Sequence, residues 1–188
     1  TNGLGNNIKP NGSNNNAVSI SAELKEAERK ADTYLNEIVF KDYDEDRYRI
    51  LDGLDNQVQK LKRQLADCKN FNKEAKAIAF VPVKNPEGIP GILSVETENG
   101  WQAPEYSIPA GSSAAEVLVK SLQNDFGIEL ETSDVLGVVS TEEEATEVVC
   151  EIDFQSIAPT SNTQGWFYDD DYKPELANSP TEALNYAQ

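Results

Sequence analysis

The sequence predicts an α+β protein in which an N-terminal antiparallel helical hairpin precedes a mixed α/β domain. Three observations carry that expectation. Apolar residues recur every three or four positions over 24–38 and 51–68, the signature of amphipathic helices. Beyond residue 76 short β-branched runs alternate with turn residues, as strands do. The charge changes at the same place: residues 1–76 carry 13 Lys+Arg and 13 Asp+Glu, whereas residues 77–188 carry 3 and 20 and so hold the whole net charge of −17.

Residues 1–18 form a polar tail rich in Gly and Asn with almost nothing to bury, so contact with another chain would be needed to order it. Its Asn11-Gly12-Ser13 matches a glycosylation sequon, a chance match in a tail so rich in Asn. The first helix is expected from Ser19 or Ser21 to about Val39, because Leu24, Ala27, Ala31, Leu35 and Ile38 share one face. The second is more regular. Leu51, Leu54, Val58, Leu61, Leu65 and Cys68 alternate three and four apart, the pattern of a coiled-coil seam. Phe40 to Asp46 is short enough to fold the two helices back on each other, so 19–76 reads as a hairpin. Six seam positions span fewer than three heptads, which makes the pair marginal alone. The seam must therefore pack on the rest of this chain or on another protein, and Leu51, Leu54, Val58, Leu61 and Leu65 are candidate partner-binding residues. Lys60, Lys62, Arg63, Lys69, Lys73 and Lys76 follow, and self-complementarity with the acidic domain is the plain reading of them.

Residues 77–160 read as the mixed domain. Ala77 to Val83 and Ile89 to Thr97 are expected strands, and Trp101 with Pro104 leads into a turn at Pro109-Ala110-Gly111. A helix follows with clear punctuation. Ser113 and Glu116 form a capping box, Val117, Leu118, Leu122 and Phe126 give an apolar stripe, and Gly127 stands where a left-handed residue ends a helix. Val135 to Ser140 and Glu147 to Phe154 then form an expected hairpin around the acidic loop Thr141 to Thr146.

The stretch from Tyr106 to Ile128 resembles a Nudix box in layout: Leu122, Asp125, Gly127 and Ile128 fall at the first aliphatic, the last acid, the Gly and the final aliphatic. In that register Tyr106 takes the first Gly position, Ser112 the first Glu, Lys120 the Arg, Ser121 the next Glu and Asn124 the first of the paired acids. The resemblance, which covers about residues 77–160, implies a Nudix-like mixed-sheet α/β sandwich. It also implies lost catalysis. A Nudix enzyme holds Mg²⁺ or Mn²⁺ against a diphosphate with several carboxylates, and only Asp125 remains to supply one. No catalytic residue, cofactor or metal ligand is therefore expected. Degenerate Nudix-like domains occur in organelle complexes, including a mitochondrial large-ribosomal-subunit protein, although this charge suits an RNA-rich particle poorly. Two alternatives stay open: a pseudoenzyme that holds a nucleotide-like or neutral ligand beside Trp101, Tyr106 and Asp125, and a hydrolase that imports carboxylates from Glu105, Glu116 or Glu142 to Glu144.

Other constellations carry less. Asp42, Asp44 and Asp46 open like a calcium loop, but Arg47 stands where the turn needs Gly and Gly53 where a bidentate Glu should close the shell. Neither Gly88 to Gly91 nor Gly111-Ser112-Ser113 has phosphate-loop spacing, and the negative field opposes an anion on the Ser112-Ser113 helix start. With no His in the chain, His-assisted acid–base and nucleophilic chemistry is excluded, and Cys68 and Cys150 read as buried thiols or one disulfide.

Residues 161–188 form an acidic aromatic tail with no strong strand pattern and a short expected helix at Thr181 to Tyr186. Within it Trp166, Phe167, Tyr168, Asp169, Asp170, Asp171 and Tyr172 read either as a docking motif for a basic, partly apolar groove or as a loop folded on its own domain. The net field repels nucleic acid and anionic lipid, so the expected partners are protein subunits with basic surfaces. No apolar run is long enough to span a membrane, which leaves peripheral association through a partner. A chain that starts at Thr1 and holds no Met suggests a processed product, and with it a plastid stroma or thylakoid lumen ahead of a mitochondrion. The expected role is a non-catalytic accessory subunit of a protein assembly.

Overall fold

The computed structural model describes residues 17–69, 71, 75–84, 90–98, 100–139, 147–152 and 164–167. Two long helices open it, α1 (Ala17–Ile38) and α2 (Glu45–Asp67), and they pack together as the expected hairpin. The strands β1 (Lys76–Phe80), β2 (Pro82–Lys84), β3 (Pro90–Thr97), β4 (Gly100–Gln102) and β5 (Glu105–Ser107) follow. Helix α3 (Ala114–Phe126), a short 3-10 turn (Thr132–Asp134), β6 (Val135–Val139), β7 (Glu147–Ile152) and β8 (Gln164–Phe167) complete the described elements.

Two sheets result. Sheet one has the order β5-β1-β7-β6 and is mixed: β1 and β7 run parallel, with Ala77 opposite Val148, while both outer pairs are antiparallel. Sheet two is antiparallel and joins β2, β3 and β4, with β8 also paired to β3. The chain passes between the sheets at two prolines. Val81 separates β1 from β2, which opens at Pro82, and Ala103 and Pro104 separate β4 from β5. Proline donates no ladder hydrogen bond, so each ends pairing on one sheet and frees the chain to join the other. Neighbouring carbonyls are still used: Leu93 N–H donates to Val81 O and Ala79 N–H to Pro104 O, each at 2.9 Å.

Alternation along β1 builds the two cores. Ala77 and Ala79 face the helices with Leu65, Leu118, Leu122 and Val148; Ile78 and Phe80 face the other way, onto Ile92, Ala103 and Val149. Helices therefore cover one face of sheet one and residues of sheet two cover the other. Cys68 and Cys150 are both buried in this interior and are not joined as a disulfide, and burial pushes the Cys150 thiol well above its ordinary range.

Several boundaries differ from expectation for local reasons. The apolar run Ala77 to Val83 is two strands in two sheets because Pro82 interrupts it. The short strands β4 and β5 lie where only turns were expected, and β8 carries sheet two to Phe167, past residue 160. Residues 1–16, 140–146, 153–163 and 168–188 lie outside the described residues, and with them the Asn11 sequon, the acidic loop, the helix expected at 181–186, and Tyr168 to Tyr172.

Helix α2 reaches sheet one where side chains are smallest. A Cβ at Gly137 would come within 3.2 Å of the backbone N and Cα of Ala66 and 3.1 Å of Val148 Cγ1. Replacing Gly137 by Ala forces helix and strand apart, and a denaturation curve should show a loss of about 1–3 kcal/mol. Gly53 is the opposite case, a helical glycine with nothing within 4 Å of a built Cβ. Gly53→Ala should raise the stability read from the same curve by about 0.5–1 kcal/mol.

Candidate functional site

The region with the Nudix-box layout is assembled from β5, the turn at Gly111 and α3. Gly111 has φ of 83°, a left-handed conformation that turns the chain into the helix. Ser113 then caps α3 as its spacing predicts: Glu116 N–H donates to Ser113 Oγ, and Ser113 N–H donates to Glu116 Oε1, each at 3.1 Å. The backbone hydrogen bond from Ser113 draws the Glu116 carboxyl below its ordinary value. At the far end Gly127 is left-handed with φ of 70°, and its N–H donates to Gln123 O at 2.9 Å.

Helix α3 turns Ala114, Ala115, Leu118, Leu122 and Phe126 into the core. The box positions fall elsewhere. Lys120, Asn124 and Asp125 are exposed, and Ser112 and Ser121 are half-buried. Asp125, the box's remaining acid, meets Tyr106: the phenol Oη donates to Asp125 Oδ2 at 2.7 Å. Burial chiefly, with this carboxylate beside it, lifts the Tyr106 phenol well above its ordinary value. Thus Tyr106 on β5 is tied to Asp125 on α3.

The carboxylates that a substitute metal site would borrow are engaged in the fold. Glu105 lies 3.4 Å from Lys76 Nζ, and Glu116 closes the helix cap and lies 3.5 Å from Lys69 Nζ. Glu142 to Glu144 lie outside the described residues. No group of three or more Cys, Asp or Glu side chains is gathered as a metal site among the described residues. Trp101 does not join Tyr106 and Asp125. It packs with Ile78, Phe80 and Ile92, whereas Tyr106 packs with the helix-side core on the other face of sheet one. The calcium-like aspartates serve the hairpin: Asp46 N–H donates to Asp44 Oδ1 at 2.9 Å, so Asp44 is the N-cap of α2.

The seam residues divide along their length. Val58, Leu61 and Leu65 are buried in this chain's own core, and Leu51 and Leu54 are half-buried. The basic residues behind them are mostly used within the chain as well. Arg63 Nε donates to Ser133 O at 3.2 Å, and Lys62 lies beside Glu28, whose carboxyl burial raises while Lys62 lowers it. Trp166 and Phe167 have backbone partners in β3, Ile92 and Gly91. No helix among the described residues is long and apolar enough to cross a membrane.

Sequence reasoning placed the caps of α3 but not the Asp44 cap of α2, the start of α1 at Ala17 or the Tyr106–Asp125 pair. A tyrosine at a glycine position was the available signal; that it would reach an acid 19 residues on depends on β5 lying beside α3. Comparison with models of protein families and with curated proteins gives no match for this chain.

Tyr106→Phe removes the phenol hydrogen bond and should lower stability by about 1 kcal/mol at neutral pH. The folded state holds this proton more tightly than the unfolded chain, so the contribution is full below the ordinary phenol value of about 10 and is lost as pH rises past it. Unfolding curves across that range should show the advantage of wild type over Tyr106→Phe shrinking with pH.

Proposed function

We propose that this chain is a non-catalytic structural or accessory subunit of a larger protein assembly, built on a Nudix-like domain whose catalytic box has been lost. One observation carries the reading. The box retains a single carboxylate, Asp125, and its Oδ2 accepts a hydrogen bond from Tyr106 at 2.7 Å. Diphosphate hydrolysis needs several carboxylate oxygens free to hold a divalent cation. Here Ser112, Ser121 and Asn124 stand at the other acid positions and present two hydroxyls and an amide, with Lys120 at the Arg position. The mixed sheet, the antiparallel second sheet and the strand–turn–helix at the box support the Nudix-like part of the reading.

The charge supports protein partners with basic surfaces. Internal ion pairs engage Lys69 and Lys76, and the Ser133 carbonyl engages Arg63, while the net −17 leaves an outward field that repels phosphate polymers and draws Lys- and Arg-rich faces. Contact surfaces in this reading are the outer part of the α2 seam, at Leu51 and Leu54, and the aromatic acidic segment that begins at Trp166 and Phe167.

The full chain in extract of its source cells should migrate on native sizing in a complex of fixed stoichiometry, and recovery as a free species near 20.7 kDa overturns the reading. The purified chain should release no phosphate from nucleoside diphosphates with Mg²⁺ or Mn²⁺. Metal-dependent turnover would restore the hydrolase.

A further inference from the structure

The tip of the helical hairpin is an exposed aromatic surface. From Glu45 to Gln57 no residue of α2 is buried, and the first buried residue is Val58. About 20 Å of helix therefore runs before the first fully buried residue of α2, with Leu51 and Leu54 half-covered along it. On that segment and the preceding turn Val39, Phe40, Tyr43, Tyr48 and Ile50 are all exposed, Phe40 to 96% and Tyr43 to 77%. Single exposed apolar residues are ordinary, but Val39, Phe40, Tyr43 and Tyr48 fall close together at the hairpin turn, and such a group marks a contact surface.

The tip is also held in shape. The Tyr43 and Tyr48 rings stack, with centroids 5.4 Å apart and planes 18° from parallel. Asp44 caps α2, and Arg47 Nη1 donates to the Asp42 carbonyl at 3.2 Å, which fastens the turn to the helix. A surface ordered before binding loses less entropy on binding, and aromatic side chains are the usual anchors of interfaces.

Charge identifies the partner. Arg47 is beside Asp44, and Arg49 is paired with Glu45 and Asp46. Glu37, Asp42, Asp52 and Asp55, in the turn and on the two helices behind it, have no ion-pair partner among the described residues, and neither has Lys41, which leaves an excess of acid there. The aromatic tip is thus rimmed by uncompensated acids. Anionic lipid and nucleic acid are repelled by that rim, and a second copy would bring like charge against it.

Resting on the accessory-subunit reading above, we propose that the hairpin tip is the docking element and inserts Phe40 and the Tyr43–Tyr48 stack into an apolar pocket rimmed by Lys and Arg on another protein. Aromatic burial supplies the affinity and the acidic rim sets the orientation and the rate of approach.

The test uses the full chain in extract of its source cells. Wild type, F40S/Y43S and D52K/D55K are compared by native sizing, and a photo-crosslinking amino acid at position 40 maps the contact. All three are expected to melt alike, since the substituted side chains lie on the surface. Wild type should co-migrate with its complex, both variants should lose about tenfold or more of that fraction, and the cross-link should fall on a protein segment with flanking Lys or Arg. If both variants stay in the complex at wild-type yield, the docking role of the tip fails and the accessory reading stands. A cross-link to a second copy, to lipid or to a segment without basic residues also overturns it. Should wild type itself run as a single chain, both readings fall.

Discussion

The close approach of Ala66 to Gly137 is the constraint on which the layout depends. A helix lies against a sheet only as near as the side chains between them allow, and here one residue has a methyl group and the other none. With Ala66 fully buried beside β6, Leu65 and Leu61 are carried into the same core, as are Val58 and Cys68. That docking fixes the C-terminal half of α2. Because a helix is stiff over this length, the N-terminal half and the turn before it take their direction from the same contact.

The domain beneath is organised by where pairing stops. Pro82 and Pro104 each remove a ladder donor, and at each the chain leaves one sheet for the other. The second crossing delivers β5 to the edge of sheet one, with Tyr106 opposite Ala77, on the face that α3 covers. Only from there does the phenol reach Asp125. Tyr106 thus ties the edge strand to α3 through Asp125, and burial with a carboxylate neighbour raises its phenol above the ordinary value.

Much of this was legible in the sequence because it is local. The capping box at Ser113 and Glu116, the left-handed Gly127 and the two helices are settled by residues three or four apart, and local spacing is what periodicity reads. The β6–β7 hairpin was legible for the same reason. Non-local features were not. The parallel pairing of β1 with β7 joins residues some 70 apart in sequence, and nothing in either strand names its neighbour. Gly137 looked like an ordinary strand glycine because its reason, the backbone of Ala66, lies on another element. The split at Val81–Pro82 was hidden by composition, since AIAFVPV is equally apolar on both sides of the bend. At the box the missing carboxylates were plain from residue types, whereas the tie between Tyr106 and Asp125 required the fold.

The seam shows most clearly what a pattern leaves open. Leu51, Leu54, Val58, Leu61 and Leu65 repeat with one spacing, and spacing fixes a face without saying what covers it. The fold divides them by depth: Leu65 is fully buried against this chain's own core, while Leu51 and Leu54 are only half covered. A residue that already contacts its own sheet has no surface left for a partner, so the interior part of the repeat is accounted for by stability alone. The outer part is not, because Phe40, Tyr43 and Ile50 add apolar surface that contributes little to this chain's own core. Burying such surface gains about 25 cal/mol for each Å² removed from water, and the fold leaves that gain untaken at the tip while it takes it fully at Leu65. One hairpin thus has two ends with different physics, an anchored end that holds it to the sheets and an outer end whose apolar side chains remain in water.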